Sequence, residues 1–134
     1  MTNIEKVMKY LDNAKIFYVA TVNGNKPKCR PFSFKIAYKN KIYFGEGTFK
    51  NVYHQMQENP NVEICASDGK GFLRYYGKAA FVDDNILLNE AFKIAPYLKN
   101  MYNENTGCTL RMFYLADAAA EFRDLMTVKE SLSM

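Results

Sequence analysis

The sequence predicts a mainly β fold with peripheral α-helices, in which six or seven antiparallel strands close into a small barrel. Short runs of apolar, β-branched and aromatic residues are separated by tight-turn signals, of which Asn23-Gly24 and Asp68-Gly69 are the clearest. Ten Tyr and ten Phe, with no Trp, also favour strands. Helical spacing is confined to three regions, and a sheet with so few helices is expected to close on itself.

The first half of the chain reads as one helix followed by hairpins. Apolar residues recur at helical spacing and predict a helix over residues 3–13. The run at 16–22 is apolar on both faces, which is typical of a strand buried on both sides. Tight turns connect it to further predicted strands at 27–38 and 42–46.

The middle of the chain is predicted to be a helix followed by a hairpin. The helix starts at about residue 48, and the Asn-Pro-Asn sequence at 59–61 ends it. Strands at 62–67 and 72–82 follow, with a turn between them.

The last third contains a helical region and a final strand region. The polar residues at 83–85 provide a cap for a helix over 86–95, and Pro96 separates that helix from a short one ending near Tyr102. Segments 109–115 and 119–126 read as strand, interpreted as one strand bent around Asp117.

Length and composition set the broad class of protein. The 134 residues predict one domain, 1–134, large enough for a hydrophobic core. The formal charge of +4 comes from scattered lysines, so no nucleic-acid partner is expected. No segment has the length of a transmembrane helix or the apolar core of a signal peptide, so no membrane partner is expected either.

The cysteines bear on compartment and on metal binding. Cys29, Cys65 and Cys108 are far apart and odd in number, which fits neither a zinc site nor a disulfide framework. With His54 as the only histidine, no metal site is expected. Unpaired cysteines favour a reducing compartment, and we expect the protein to be cytoplasmic.

A lysine at the start of the central helix is the first indication of a ligand. Thr48 is a plausible N-cap, which puts Lys50 in the first turn beside the positive end of the helix dipole. A cation there costs about 0.3–1 kcal/mol unless an anion lies beside it, and phosphate is the usual anion at helix N-termini. The alternative is a solvated lysine with no ligand.

An arginine in the second strand is the next indication. Lys28, Arg30, Phe32 and Phe34 have the same parity, so period-two alternation places Arg30 on a face with bulky apolar groups. Neighbouring strand segments offer no obvious acidic partner, and an anionic ligand would supply one with bidentate geometry. The alternative is that Arg30 lies at the barrel rim and points to water.

Backbone features near these cations are compatible with a flat ligand. Pro31 cannot donate a ladder hydrogen bond, so it indicates an edge, a bulge or an open ladder, although edge prolines also serve only to prevent aggregation. Gly45 and Gly47 would permit close backbone approach to a ligand. The segment is neither a P-loop nor a dinucleotide-binding fingerprint.

No residue pattern identifies catalytic machinery. His54 has no nucleophile or carboxylate arrangement directed at it, and Cys29 has the opposite parity to Arg30. Asp83 and Asp84 are more typical of a helix cap than of a general base. No catalytic residue is therefore assigned, and if the protein is an enzyme, a cofactor supplies the chemistry.

Three segments together resemble a known family. ATVNGNKPKCRPFSF at 20–34, KIYFGEGTFKNVYHQMQENPNV at 41–62 and FLRYYGKAAFVDD at 72–84 are similar in order and motif to the pyridoxamine 5′-phosphate oxidase-like FMN-binding split barrels. The resemblance covers about residues 15–125. It implies a split β-barrel and a homodimer with two FMN molecules at the subunit interface.

The resemblance also implies which residues bind the cofactor. Three would bind or lie near the FMN phosphate, two β-strand segments would line the isoalloxazine ring and ribityl chain, and two residues would approach the flavin from the other subunit. The complete predicted set is Arg30, Pro31, Phe32, Ser33, Phe44, Gly45, Glu46, Thr48, Phe49, Lys50, Phe72 and Arg74. Within it Lys50, Thr48 and Arg30 belong to the phosphate, and Phe72 and Arg74 to the second subunit.

Two departures from the family pattern restrict the predicted activity. The chain lacks the Trp- and Arg-containing segment that completes the site of true pyridoxamine 5′-phosphate oxidases. It also has Tyr43-Phe44 where the Nim-type branch, associated with 5-nitroimidazole resistance, carries a histidine. The first hypothesis is an FMN-dependent oxidoreductase acting on a small acceptor, including a nitroaromatic. The alternatives are a non-enzymatic flavin-binding or redox-sensing protein, and a barrel that binds a deazaflavin or haem.

Overall fold

The computed structural model describes all 134 residues and consists of eight antiparallel strands and four helices. The strands are β1 Phe17–Asn23, β2 Lys26–Phe32, β3 Ile36–Tyr38, β4 Lys41–Gly47, β5 Asn61–Ser67, β6 Phe72–Val82, β7 Leu110–Arg123 and β8 Val128–Ser133. The helices are α1 Asn3–Ala14, α2 Asn51–Glu58, α3 Asn85–Ile94 and α4 Tyr97–Met101. No helix is long and apolar enough to cross a membrane.

All eight strands belong to one sheet that does not close. The order is β2-β1-β5-β6-β7-β4-β3, and β8 pairs with β7 outside this path. The end strands β2 and β3 do not pair with each other, although residues 33–35 connect them directly. The predicted mainly β split barrel is confirmed, with one more strand than the predicted upper number.

The higher strand count has two causes. The predicted strand at 27–38 is interrupted at residues 33–35, and β3 after the break pairs with β4 instead of β1. The sequence pattern also gave no sign of β8, because Leu132 is its only buried residue. The predicted strand at 72–82 coincides with β6.

The long strand β7 bends at a bulge. It pairs with β6 along its length, and the register shifts between Tyr76 and Lys78. Asp117 has a φ of 49°, and Gly77 faces it so closely that a Cβ there would lie 2.7 Å from the Ala116 carbonyl oxygen. The predicted single strand bent around Asp117 is therefore confirmed.

Local capping explains where two helices begin. Thr2 and Glu5 form a reciprocal capping box at the start of α1. The Asp84 carboxylate accepts hydrogen bonds from the backbone N–H groups of Ile86 and Leu87, so the predicted cap of α3 is also present.

The buried side chains form two hydrophobic clusters. The larger cluster fills the space between the curved sheet, α1 and α2, and contains the rings of Phe17, Phe44 and Phe113. The smaller cluster lies beneath α3 and α4 and includes Leu87 and Met112. The larger cluster fixes β2 and α2 against the same end of the sheet, which positions the candidate site.

Candidate functional site

The N-cap of helix α2 lies two residues later than the predicted one. The Thr48 backbone N–H donates to the Thr109 carbonyl at 3.0 Å, so Thr48 still belongs to the strand end and the prediction that it caps the helix is wrong. Lys50 is the N-cap residue, with extended backbone angles and no side-chain capping hydrogen bond. The first N–H groups of α2, those of Asn51 and Val52, therefore have no capping side chain.

A buried carboxylate lies beside this helix start. Glu46, at the end of β4, is only 4% exposed, and its Oε1 accepts a hydrogen bond from the Gly47 N–H at 2.9 Å. The Lys50 ammonium lies 3.5 Å from the same oxygen. Burial raises the pKa of Glu46, while the Gly47 hydrogen bond and the charges of Lys50 and Arg30 act in the opposite direction.

Arg30 lies on the core-facing side of β2, opposite the fully buried Val19. Its Nη1 donates to the Thr21 hydroxyl at 2.6 Å and to the Val19 carbonyl at 3.2 Å, and its Nη2 donates to Gln55 Oε1 at 2.9 Å. All three acceptors are neutral. Desolvation lowers the pKa of Arg30, and the charge of Glu46 partly offsets this effect.

A polar cavity of roughly 930 Å³ lies between the β1–β2 hairpin and α2. Its walls include Arg30 and Lys28 from β2 and Asn51, His54, Gln55 and the carboxylate of Glu58 from α2. Of the predicted site residues only Arg30 lines this cavity, beside the first residue of α2, whereas Lys50 and Thr48 do not line it. Two basic side chains, one carboxylate and a helix N-terminus leave the cavity net positive, which suits an anionic ligand.

The predicted ring-binding segment follows the edge of the sheet. β2 is an end strand, so one row of its backbone groups has no strand partner, as the presence of Pro31 indicated. Pro31 and Ser33 are exposed, whereas Phe32 points inward and packs against Phe17 and Phe113.

The β4 part of the predicted site is more buried than expected. Phe44 is fully buried between Phe17 and Phe113, so only its backbone could contact a ligand. A Cβ on Gly47 would lie 2.6 Å from the Phe49 ring and 3.0 Å from the Tyr102 ring. The chain's own rings, and not a ligand, therefore require a glycine at position 47.

Gly45 also has little room for a larger side chain, whereas the ring of Phe49 is accessible. A Cβ on Gly45 would lie 3.0 Å from Leu110 Cδ1 and 3.3 Å from the Met112 sulfur. Internal packing alone thus accounts for the absence of side chains at both positions, and the predicted ligand approach there stays a prediction. Phe49 is largely exposed next to Lys50, so its ring is available to a ligand.

Phe72 and Arg74 are not brought to this cavity within one chain. Arg74 lies on the outer face of the sheet. It is three strand spacings from Pro31, because the strand pairing forms a row that runs from Pro31 to Tyr18, Cys65 and Arg74. At normal strand spacing this separation is about 14 Å. Arg74 forms a bidentate ion pair with Glu63 at 2.8 and 3.1 Å, and Phe72 packs beneath the guanidinium of Arg123.

Two residues of the site were missed by sequence reasoning. Thr21 is 2% exposed, and its hydroxyl donates to Gln55 Oε1 at 2.6 Å. Thr21 could have been found, because it is a polar residue with inward parity in an otherwise apolar strand. Gln55 gave no signal, since an isolated glutamine on a helix is usually solvated.

Comparisons with known proteins agree with this architecture. Residues 4–120 match the family model described as pyridoxamine 5′-phosphate oxidase. A NimC/NimA family protein from Clostridium acetobutylicum is similar in structure, with a TM-score of 0.87, 28% identity and coverage of 98% of this chain and 92% of that one. No curated protein sequence matches significantly.

Two more distant structures share the fold. A pyridoxamine 5′-phosphate oxidase-related, FMN-binding protein from Nostoc punctiforme aligns with a TM-score of 0.64 and 17% identity, covering 98% of this chain and 89% of that one. An FAD-binding protein from Mesorhizobium loti aligns with a TM-score of 0.60 and 13% identity, covering 90% and 94%. The family model spans most of the sequence, and the chain therefore belongs to the pyridoxamine 5′-phosphate oxidase family.

Proposed function

We propose that the protein binds FMN and acts as a flavin-dependent oxidoreductase on a small-molecule acceptor. The observation that carries the proposal is the half-buried guanidinium of Arg30, which has only neutral hydrogen-bond partners beside the uncapped N-terminus of α2. A phosphate group bearing two negative charges matches this arrangement. Arg30, Lys50 and the first N–H groups of α2 would bind it.

The charges at the site are net positive, and they favour an anion such as a monoester phosphate. Arg30 and Lys50 contribute two positive charges, and the buried Glu46 beside them contributes one negative charge when ionised. The Lys50 ammonium would exchange its contact with Glu46 for a contact with phosphate. Thr48 and Phe49, immediately before Lys50, would contact the phosphate and ribityl region.

The edge strand supplies the proposed contacts with the flavin ring. The backbone at Pro31, Phe32 and Ser33 has unpaired groups that can bind the polar edge of a heterocycle. The backbone at residues 44–46 would approach the ring from β4. Bound FMN supplies electron transfer, and the chain supplies binding and orientation. No catalytic residue is assigned.

The proposal includes a homodimer. Arg74 lies about 14 Å across the outer face from Pro31, and Phe72 is two residues away along β6, so we attribute their contact with the flavin to the second subunit. The outer face also exposes the ring of Tyr18 in the row between Pro31 and Arg74. A second copy covering this row would bury that ring and complete the site.

Family membership and the flavin-binding neighbours from Nostoc and Mesorhizobium support the cofactor class. The similarity to the NimC/NimA family protein supports a nitroaromatic as the first acceptor to test. The same protein could bind flavin without turnover, and one experiment must separate the two functions.

The experiment is a titration followed by a turnover assay. Purified protein is titrated with FMN, FAD and riboflavin, and we expect FMN to bind at least about tenfold more tightly than riboflavin because the phosphate contact is charge-assisted. The FMN-loaded protein is then reduced anaerobically with NADH or NADPH and mixed with a nitroaromatic. Equal affinity for FMN and riboflavin would reject the phosphate site, and reduction without turnover of any acceptor would indicate a binding protein.

A further inference from the structure

A second cavity, of roughly 540 Å³, lies away from the proposed flavin site. It is bounded by the start of α1, the start of β4, the bend of β7 and the end of β8. Its apolar walls include Ile4, Ile42 and Leu115. It shares no lining residue with the polar cavity at Arg30, so the two can be tested independently.

A buried tyrosine lines this cavity, and its hydroxyl has no partner within the chain. Tyr75 on β6 is 2% exposed, lines the cavity and forms no side-chain hydrogen bond within the chain. Burial raises the pKa of Tyr75 to about 12, so its hydroxyl is a hydrogen-bond donor at neutral pH. The hydroxyl is not fully enclosed by the chain, so a ligand in the cavity can accept its hydrogen bond.

The rim of the cavity favours a negative group. Lys41 lies there with its ammonium 5.0 Å from the centre of the Tyr114 ring. The N-terminus of α1 contributes the backbone N–H groups of Asn3 and Ile4, which have no intrahelical partner. Asp117 is the one carboxylate side chain that lines the cavity, and it opposes a ligand with two negative charges.

We propose that this cavity binds a small aromatic carboxylate. The carboxylate would lie near Lys41 and the start of α1, the ring would pack between Ile42, Leu115 and the tyrosine rings, and the Tyr75 hydroxyl would donate to a ligand oxygen. The volume is within the range of small-ligand sites. A single negative charge on an apolar body matches one ammonium, one helix N-terminus and apolar walls.

The test uses benzoate as the probe, with benzamide as its neutral isostere and inorganic phosphate as an anion without a ring. Full-length protein is titrated calorimetrically up to about 10 mM ligand, with and without saturating FMN. We expect benzoate to bind in both cases, and to bind at least about fivefold more tightly than benzamide or phosphate. Amide NMR shifts are expected at residues 41–42, 75 and 114–117.

Matched variants test the two polar contacts. Tyr75→Phe removes only the hydroxyl and is expected to weaken benzoate about threefold or more, whereas Tyr97→Phe on exposed α4 leaves affinity unchanged. Lys41→Met is expected to weaken it about fivefold or more, whereas Lys99→Met, another lysine beside a ring, does not.

Three results would overturn the proposal. The first is an absence of binding with an absence of NMR shifts, which would mean that water alone pairs with Tyr75. The second is equal affinity for benzoate, benzamide and phosphate. The third is a set of shifts confined to the Arg30 cavity. The amide NMR shifts of the unmodified protein show where benzoate binds, so they test the proposal even if Tyr75→Phe fails to fold.

Discussion

The Lys50 ammonium lies 3.5 Å from Oε1 of Glu46, the one buried charged residue of the chain. Lys50 therefore has an anionic partner within the chain. Binding of a ligand anion to Lys50 requires that this contact be weakened. An incoming phosphate must compete with this carboxylate for the ammonium.

Lys50→Ala is expected to weaken FMN binding by more than about tenfold, because a hydrogen bond to a charged group contributes about 1.5–3 kcal/mol. The exposed Lys9→Ala on α1 is the control and is expected to bind as the unmodified protein does. The measurement is quenching of flavin fluorescence on titration. Unchanged affinity for FMN in Lys50→Ala would remove Lys50 from the phosphate site.

Arg30→Met is expected to lower the affinity for FMN by more than about tenfold while changing the affinity for riboflavin much less, because the lost contact is to phosphate. The fold should persist, since the Thr21 hydroxyl still donates to Gln55 at 2.6 Å. Lys26→Met, at the exposed start of β2, is the control. A parallel loss of FMN and riboflavin affinity would indicate a structural role for Arg30 instead.

Glu46→Gln is expected to change how stability depends on pH. Burial raises the pKa of Glu46 above its ordinary value of 4.5, so between that value and the raised pKa the folded state binds more protons than the unfolded state. Stability contributed by the protonated acid is then lost as pH rises through the raised pKa. Urea unfolding of Glu46→Gln should therefore show less loss of stability above pH 4.5 than the unmodified protein.

The same substitution is expected to strengthen FMN binding at neutral pH, because the phosphate would no longer lie near a buried carboxylate. Glu104→Gln, in the exposed segment before β7, is the control for both measurements. If the stability of Glu46→Gln depends on pH in the same way as that of the unmodified protein, burial does not raise the pKa of the Glu46 carboxyl group.

Gly77→Ala is expected to destabilise the protein by about 1–3 kcal/mol, because its Cβ would lie 2.7 Å from a backbone oxygen that the β6–β7 ladder fixes. Gly45→Ala is the comparison. Its nearest contacts, at 3.0 and 3.3 Å, are the ends of the Leu110 and Met112 side chains, which can move. Equal unfolding midpoints in urea for the two variants would contradict the close packing at the bulge.

Tyr18→Asp is expected to convert the proposed dimer to a monomer and to abolish FMN binding, since a charge would be buried in the interface without a partner. Tyr97→Asp is a matched control, because both tyrosines are 50% exposed and Tyr97 lies on α4. Sedimentation velocity measures the oligomeric state. A Tyr18→Asp protein that remains a dimer would place the interface elsewhere.

Sequence reasoning identified most elements because their signals are local. β6 follows from the aromatic-rich segment after the Asp68-Gly69 turn, and the cap of α3 follows from Asp84. The start of α2 could not be found locally, because Thr48 pairs with Thr109, which is distant in sequence. β8 could not be found either, since its one buried residue gives no alternation to detect.

The sequence predicted only part of the candidate site, because only part of it depends on local signals. The parity of β2 correctly placed Arg30 on the face with the apolar rings, and β2 proved to be an edge strand as Pro31 indicated. Its actual partners, Thr21 and Gln55, come from two other elements whose proximity depends on tertiary packing. The contact between Lys50 and Glu46 joins a strand end to a helix cap, and helical periodicity does not describe that junction.

The bent strand β7 has a consequence for how the molecule unfolds. Its side chains alternate between the two hydrophobic clusters, so Met112 belongs to the smaller cluster and Phe113 to the larger one. Its backbone pairs with β4, β6 and β8. Neither cluster can lose its packing without disturbing the strand that the other requires. The whole chain should therefore melt in a single cooperative transition, in which the β7 amides exchange with solvent last.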